Sequence, residues 1–275
     1  MNTAPITKTR AIIGAEIAQN ILSKKQEILA YWNNSGPVKH FYVDDLLPAQ
    51  EVEEIHQHFP SKENLIKRNT LREKKQVGVE LEKYHPSVTE HLMAFQEPSV
   101  VDAIYQITGI KSMVPDPTLY ASGLSRMQLN DFLNPHLDNS SDGNADKYRV
   151  INLLFYITPN WKLENGGNLE LWDEKVKTQK TIHAAFNRLV IMATDDKSWH
   201  SVSKVLVDDA RCCLSNYYFA PQSYGDKDYF HATTFKGRPG ETVRGFLLNL
   251  DGMLRNGLRK VFRKGIFGSR HRRES

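Results

Sequence analysis

The second half of the chain consists of short apolar runs separated by residues typical of turns, and this alternation limits the fold more than any other feature. Gly, Asn, Asp and Pro interrupt the runs too often for long helices. Several short strands joined by turn signals favour an all-β sandwich or barrel. The six candidate strands lie within the sequences TLYASGLSRMQL, RVINLLFYI, NLELW, RLVIMA, HSVSKVLV and RCCLSNYYF.

The first hundred residues predict helices instead. Apolar residues from Ile13 to Trp32 recur at helical spacing until the breaker sequence NNSGP. The segment VKHFYV predicts a short strand, and the charge-rich residues 61–80 predict irregular surface chain. Further helices are expected to begin at three prolines: Pro48, Pro86 and Pro98.

These patterns together predict an α+β protein with three parts. Residues 1–110 form a mainly helical support region, residues 111–225 form the β-rich core, and residues 226–275 form a basic C-terminal extension. The apolar content of 40% and the charged content of 25% are typical of a globular chain that can bury a core. A disordered chain is excluded, because it would hold fewer apolar residues and a larger net charge.

Charge is distributed unevenly along the chain. The formal net charge is +4, but from Arg244 to the end nine Lys or Arg stand against two acidic residues, which gives this tail a charge of +7. Apolar residues in the tail recur at spacings of three and four, which predicts a basic amphipathic C-terminal helix. Residues 250–273 therefore suit an anionic membrane surface or nucleic acid, or they dock on the core as terminal helices of ordinary enzymes do.

Cysteine usage and hydropathy bear on the location of the protein. The two cysteines, Cys212 and Cys213, are adjacent and cannot build a disulfide framework, so a reducing, cytoplasmic setting is predicted. The basic tail leaves a peripheral position at a membrane open. The N-terminus has no apolar stretch typical of a secretory signal, and no run of about 18 apolar residues predicts a transmembrane segment.

A candidate metal site lies in the β-rich half. His136 and Asp138 are two residues apart, and alternate residues of a strand point to the same face. His200 follows 64 residues later at the start of another predicted strand, and Arg211 follows after eleven more. Each residue alone is more often structural. Two histidines and one carboxylate, however, are the ligand set of non-haem Fe(II) oxygenases, and an arginine within an apolar strand needs an anion.

Residues 126–219 resemble the 2-oxoglutarate/Fe(II)-dependent dioxygenases of the prolyl 4-hydroxylase type, and are especially similar to the prolyl hydroxylases that modify a ribosomal protein. The resemblance implies a double-stranded β-helix, a distorted jelly roll, with N-terminal helices packed on it. It implies that His136, Asp138 and His200 bind Fe(II), and that Arg211 holds the C5 carboxylate of 2-oxoglutarate. The matching stretches are NDFLNPHLDNS, YRVINLLFYITPNW, ENGGNLELWD, FNRLVIMATDDKSWHSVSKV and RCCLSNYYF.

The sequence departs from the family pattern at two positions near the co-substrate. Met127 replaces a tyrosine that often helps to bind 2-oxoglutarate, and Cys213 replaces a common serine. A second contact to the co-substrate must therefore come from elsewhere. The candidates are Tyr120, Tyr148, Tyr156 and Ser215.

The resemblance implies hydroxylation of an unactivated C–H bond, with 2-oxoglutarate and O₂ consumed and succinate and CO₂ released. Ascorbate is a candidate reductant. A prolyl or other peptidyl side chain is the expected substrate, and a small metabolite or a lipid-linked sugar at a membrane surface is the alternative. Two other classes stay open: a non-catalytic barrel that binds nucleic acid or a membrane through its basic tail, and a cupin-like isomerase or zinc enzyme.

Overall fold

The computed structural model describes residues 8–144, 146–225, 227 and 229–241. Within these residues the α-helices all precede position 110, and ten of the 13 strands follow it. The helices are α1 (Arg10–Ser23), α2 (Lys25–Asn34), α3 (Ala49–Gln57), α4 (Pro86–Ala94) and α5 (Pro98–Thr108).

The predicted helix starts are confirmed. Pro48 is the residue that precedes the first turn of α3, and Pro86 and Pro98 are the first residues of α4 and α5. Proline suits these positions because the first amide groups of a helix have no intrahelical acceptor. Helix α5 ends at Gly109, whose φ of 71° is a left-handed conformation that glycine adopts without strain. The apolar stripe at the N-terminus is divided between α1 and α2, which separate at Lys24.

The described strands all belong to one antiparallel sheet of 13 strands. All six strands predicted from the apolar runs are confirmed, as is the strand predicted at VKHFYV. The strands are β1 (His40–Val43), β2 (Ile66–Asn69), β3 (Glu73–Gly78), β4 (Val114–Pro115), β5 (Gly123–Met127), β6 (Phe132–Leu137), β7 (Tyr148–Tyr156), β8 (Leu169–Trp172), β9 (Gln179–Ile182), β10 (Arg188–Ala193), β11 (His200–Val202), β12 (Arg211–Ala220) and β13 (Thr234–Phe235).

The prediction of irregular chain at residues 61–80 is wrong, because β2 and β3 form a hairpin there. Strand β3 also pairs with β5 and β6, so the hairpin is part of the same sheet. Its charged residues hide the strand pattern, since the usual apolar alternation is absent. Gln76 of β3 is buried and donates from Nε2 to Asp131 Oδ2 at 3.0 Å, a tertiary contact that a local pattern does not report.

The sheet curls into a half-barrel. Its strands follow the order β1-β10-β7-β12-β5-β3-β6-β11-β8-β9, in which four strands separate β7 from β11. Tyr156 of β7 and Val202 of β11 nevertheless line the same cavity. The two halves of the sheet therefore face each other across this cavity, as the predicted jelly roll requires.

The N-terminal helices pack on the outer face of the sheet, as predicted. The ring of Phe95, directly after α4, lies 5.5 Å from that of Phe155 on β7. Asn216 of β12 donates from Nδ2 to the carbonyl oxygen of Leu92 at 3.0 Å, and the hydroxyl of Tyr218 donates to the carbonyl oxygen of Phe95. The central strands are thus buried on both faces, which explains their nearly continuous apolar sequence.

The sequence predictions that concern a membrane are only partly covered by the described residues. The basic amphipathic helix predicted at the C-terminus, with residues 250–273, lies outside them. Among the helices that are described, none is long and apolar enough to cross a bilayer.

Asn187 provides a test of how the helical region is joined to the sheet. Its side chain accepts from the backbone amide of Leu47 at 3.1 Å and donates to the carbonyl oxygen of Leu47 at 2.6 Å. We expect Asn187→Ala to lower the free energy of unfolding by about 2–4 kcal/mol, because both hydrogen bonds are buried and alanine is strained at the positive φ. Chemical denaturation measures this change.

The matched control is Asn160→Ala, at an exposed asparagine with a similar φ of 55°. This variant loses only the backbone preference, so its effect should be about 1 kcal/mol. Equal destabilisation by the two substitutions would show that the contacts of Asn187 with Leu47 contribute nothing.

Candidate metal centre

Two histidines meet on neighbouring strands at one end of the curled sheet. His136 of β6 stands directly opposite His200 of β11 in the antiparallel register. Opposite residues of such a pair point to the same face, so the two imidazole rings converge, with centroids 4.1 Å apart. Asp138 follows the end of β6 by one residue and lies on the same side.

The three side chains form a group with metal-ligand geometry. One ligand atom from each of His136, Asp138 and His200 lies within 4.8 Å of the other two. The Nδ1 atoms of the two rings lie 3.0 Å from the carbonyl oxygen of Asn134 and 2.9 Å from that of Ser198. A proton on each Nδ1 satisfies these carbonyls, so both Nε2 atoms present their lone pairs to the centre of the group.

The charges of the group suit a divalent cation. Burial and the neighbouring His136 lower the pKa of His200 to about 4, so this ring is neutral at neutral pH. Burial alone would raise the pKa of Asp138, but the Arg149 guanidinium and the two imidazoles hold it well below its usual value. The Oδ2 atom of Asp138 accepts no hydrogen bond from a described residue. A carboxylate with a free buried oxygen beside the Nε2 atoms of two imidazoles fits Fe(II).

Arg149 is the residue of this group that the sequence reasoning missed. It is buried at the start of β7, and its Nη1 lies 3.2 Å from Asp138 Oδ1. Its guanidinium also stacks over the ring of Tyr217, 4.3 Å from the centroid. The available signal was the one that singled out Arg211, because both arginines stand at the start of an apolar strand.

Arg211 lines the same cavity as His136, Asp138 and His200, and this cavity has a volume of about 370 Å³. The side chain is buried, yet no carboxylate of the described residues lies within ion-pair distance and its Nε donates no hydrogen bond to them. Met127 Sδ lies 2.8 Å from Nη2, and Gly167 leaves room for the arginine stem. A buried guanidinium without an anion is costly, so this part of the cavity fits a carboxylate such as that of 2-oxoglutarate.

The four candidates for a second co-substrate contact are not equivalent in position. Tyr120, Tyr156 and Ser215 line the cavity, whereas Tyr148 does not. The Tyr156 ring lies 5.2 Å from the Arg211 guanidinium carbon. The Tyr120 hydroxyl accepts from Asn139 near the metal-ligand end, and the Ser215 hydroxyl donates to a backbone carbonyl. Tyr156 is thus the candidate that the geometry places beside Arg211.

Residues 231–238, called here the C-terminal strap, cross the metal-ligand end of the sheet. Within the strap, β13 pairs with β6 so that Phe235 stands opposite His136. The two rings stack, with centroids 5.2 Å apart and an interplanar angle of 18°. The backbone amide of His231 donates to the Ser140 hydroxyl at 3.0 Å, which ties the start of the strap to the chain beyond Asp138. The strap therefore lies against His136 at this end of the sheet.

An ion pair anchors the end of the strap beside the third ligand. Arg238 Nη1 lies 2.6 Å from Glu170 Oε2, and its Nη2 donates to the carbonyl oxygen of Val202 at 3.0 Å. The same carboxylate oxygen accepts from the hydroxyl of Ser201, the residue after His200, at 2.6 Å. The Trp172 indole donates to this hydroxyl at 2.7 Å. The network holds β8 and β11 in register where His200 enters the site.

The central part of the chain is similar to a known protein family. Residues 122–219 match the profile of the 2OG-Fe(II) oxygenase superfamily. The chain is 22% identical over 247 residues to the prolyl 3-hydroxylase OGFOD1 of Mus musculus. The match covers 82% of this chain and 43% of the mouse protein, so the chain spans less than half of that relative.

Solved structures show the same fold. A prolyl-4-hydroxylase of Pseudomonas putida aligns with a TM-score of 0.52 at 16% identity, over 70% of this chain and 98% of its own. A Trichoplax adhaerens prolyl hydroxylase, solved with a peptide fragment of the hypoxia inducible factor oxygen degradation domain, aligns with a TM-score of 0.54 at 15% identity, over 73% of this chain and 91% of its own. At these identities the structures support the jelly-roll fold.

The Arg238–Glu170 ion pair gives a stability test of the strap. We expect Arg238→Met to lower the free energy of unfolding by about 2–4 kcal/mol, because it leaves the buried Glu170 carboxylate without its cation. The double variant Glu170→Gln/Arg238→Met should recover most of the loss, since no buried charge remains. Thermal and chemical unfolding of the metal-free proteins measure both effects.

Lys197→Met is the control, because Lys197 and Glu174 form an ion pair of similar length, 2.9 Å, that is exposed. Its removal should leave the stability nearly unchanged. A double variant as unstable as Arg238→Met alone would refute the role assigned to the buried charge.

Proposed function

We propose that the chain, whose residues 122–219 match the profile of the 2OG-Fe(II) oxygenase superfamily, is an Fe(II)- and 2-oxoglutarate-dependent dioxygenase of the prolyl 4-hydroxylase type. Its reaction is the hydroxylation of an unactivated C–H bond, with release of succinate and CO₂. One observation carries the proposal: a buried, unpaired arginine and a His-Asp-His group line the same cavity.

The proposal assigns a role to each functional residue discussed above. His136, Asp138 and His200 hold Fe(II), and Arg211 binds the C5 carboxylate of 2-oxoglutarate. Tyr156 contributes the second contact to the co-substrate at the end where Met127 stands in place of the family's tyrosine. Tyr120 and Ser215, which also line the cavity, and Tyr148, which does not, are weaker candidates for that contact.

Bound Fe(II) supplies, with 2-oxoglutarate and O₂, the oxidative decarboxylation that drives hydroxylation, and ascorbate is a candidate reductant. The residues of the chain orient the imidazole rings and shield the reacting centre from water. The Nδ1 hydrogen bonds of His136 and His200 fix the ring orientations, and Arg149 neutralises Asp138 before metal binds. The apolar side chains of Leu169 and Phe235 line the cavity and exclude water from the reacting centre.

A prolyl or other peptidyl side chain is the proposed substrate. The mouse relative is named a prolyl 3-hydroxylase, and one structural neighbour was solved with a peptide in place. A small metabolite or a lipid-linked sugar is the second candidate, because the basic C-terminal residues suit an anionic surface. A non-catalytic barrel is disfavoured, since it has no use for a buried guanidinium without an anion. The same guanidinium disfavours a zinc enzyme or isomerase that uses no anionic co-substrate.

Anaerobic addition of Fe(II) and 2-oxoglutarate tests the metal and co-substrate roles together. We expect a weak metal-to-ligand charge-transfer absorption in the visible range, and we expect His200→Ala to abolish it because a ligand is lost. His58→Ala, which removes an exposed histidine, serves as the control and should keep the band. Wild-type protein with neither the band nor slow uncoupled production of succinate would refute the proposed function.

The substitution Arg211→Gln tests the binding of the co-substrate separately from the binding of the metal. We expect this variant to bind metal as the wild type does and to bind 2-oxoglutarate at least about 30-fold more weakly, because a charge-assisted bidentate contact is lost. Isothermal titration with Mn(II), then with 2-oxoglutarate, measures the two affinities. Unchanged affinity for 2-oxoglutarate would exclude Arg211 as its binding residue.

Contact of residues 250–273 with an anionic membrane or nucleic acid stays a prediction from the sequence, as does a cytoplasmic location. Deletion of residues 242–275, which leaves the C-terminal strap in place, tests the contact. We expect the full chain, and not the truncated one, to sediment with vesicles rich in phosphatidylserine or to retain RNA. Equal partitioning of both proteins would exclude either partner.

A further inference from the structure

The hairpin of β2 and β3 lines part of the cavity with side chains that are only partly buried, and one face of this hairpin is basic. In the antiparallel register Arg68 stands opposite Lys75, so both side chains lie on the same face. That face lines the cavity, together with Arg72 from the turn and Glu73. Lys67 belongs to the opposite face, since its partner in the register is the buried Gln76.

Not every cationic side chain that lines the cavity at the hairpin is paired with a carboxylate. Lys75 is paired with Glu73 at 3.0 Å, and deeper in the cavity Arg149 is paired with Asp138. Arg68 is half-buried, and no carboxylate of the described residues lies within ion-pair distance of it. The lining of the cavity therefore carries, at Arg68, a positive charge that no described carboxylate pairs.

The basic face lies close to the metal-ligand group. The guanidinium carbon of Arg72 is 5.9 Å from the centroid of the Phe235 ring, and that ring is stacked on His136 at 5.2 Å. A substrate whose reacting carbon reaches the metal ligands must therefore have its neighbouring atoms beside the hairpin. Together the two separations span at most about 11 Å, which is the length of roughly three residues of extended chain at about 3.3 Å per residue.

The hairpin also has features that suit an extended peptide. Strand β2 pairs only with β3 among the described strands, so its outer edge has backbone groups available for another strand. Leu71 at the turn is 57% exposed and Ile66 is 37% exposed, which offers apolar contacts on either side of the charged residues.

We propose that the substrate is an acidic peptide segment, in which Asp or Glu residues flank the hydroxylated residue and bind Arg68 in the lining of the cavity. This inference rests on the proposed hydroxylase function and specifies its substrate class. Charge complementarity carries it, because a cationic lining favours an anionic chain and repels a basic one.

Three matched peptides test the inference. Each is a fluorescent, N-acetylated nonapeptide with a central proline, and the residues on both sides of the proline are Glu, Gln or Lys. Binding is measured anaerobically by anisotropy on protein loaded with Fe(II) and 2-oxoglutarate. We expect the Glu peptide to bind about fivefold more tightly than the Gln peptide, and the Lys peptide to bind more weakly than either.

Arg68→Glu should weaken binding of the Glu peptide and make the Lys peptide the better ligand. Lys67→Glu is the matched control, because it makes the same change of charge one residue away on the face that points away from the cavity. It should keep the wild-type order of the three peptides. Equal effects of the two substitutions would overturn the assignment to the cavity face.

Equal binding of all three peptides, or binding of none of them, would also overturn the inference. The charge-transfer absorption of the wild-type protein separates these failures from failure of the proposed function. Protein that shows the band without a preference for the Glu peptide keeps the hydroxylase function and loses only the acidic substrate. Protein without the band loses both.

Discussion

The ion pair between Asp138 and Arg149 joins the two halves of the curled sheet. Asp138 follows β6 and Arg149 begins β7, strands that lie far apart in the order of the sheet. Both side chains are almost completely withdrawn from water, so neither charge is tolerable without the other. The curl of the sheet therefore brings Arg149 to Asp138, and the resulting ion pair compensates the buried charge of the Asp138 carboxylate. A flatter sheet would leave the Asp138 carboxylate buried without a cation.

The N-terminal helices and the C-terminal strap cover the sheet around this ion pair. The N-terminal helices cover the outer face, which lets β7 and β12 carry apolar residues on both sides. The C-terminal strap lies against His136 through the Phe235 ring and is held by the Arg238–Glu170 pair. The β2–β3 hairpin contributes partly buried side chains to the cavity, and in our proposal it is the element that selects the substrate.

Much of the β-rich half could be predicted because its determinants are local. Alternation of apolar residues and turn residues indicated the strands, and the spacing of His136 and Asp138 placed two candidate ligands on one face. The hairpin at residues 66–78 was missed because its strands are stabilised by partners such as Asp131, 55 positions from Gln76. The C-terminal strap was missed for the same reason, since Arg238 and Glu170 are 68 positions apart. Arg149 is a different case, because it carried the same local signal as Arg211.

The sequence by itself determined which residue types stand where strands begin and end, and hence the candidate metal-ligand set and a buried cation that suits an anionic co-substrate. Only the tertiary structure decided which groups are paired and which are left over. It neutralised Asp138 with Arg149, left Arg211 without a carboxylate and aimed Arg68 rather than Lys67 at the cavity. Burial is the physical reason, because the energy of a charge depends on the solvent and partners around it, and these come from distant parts of the chain.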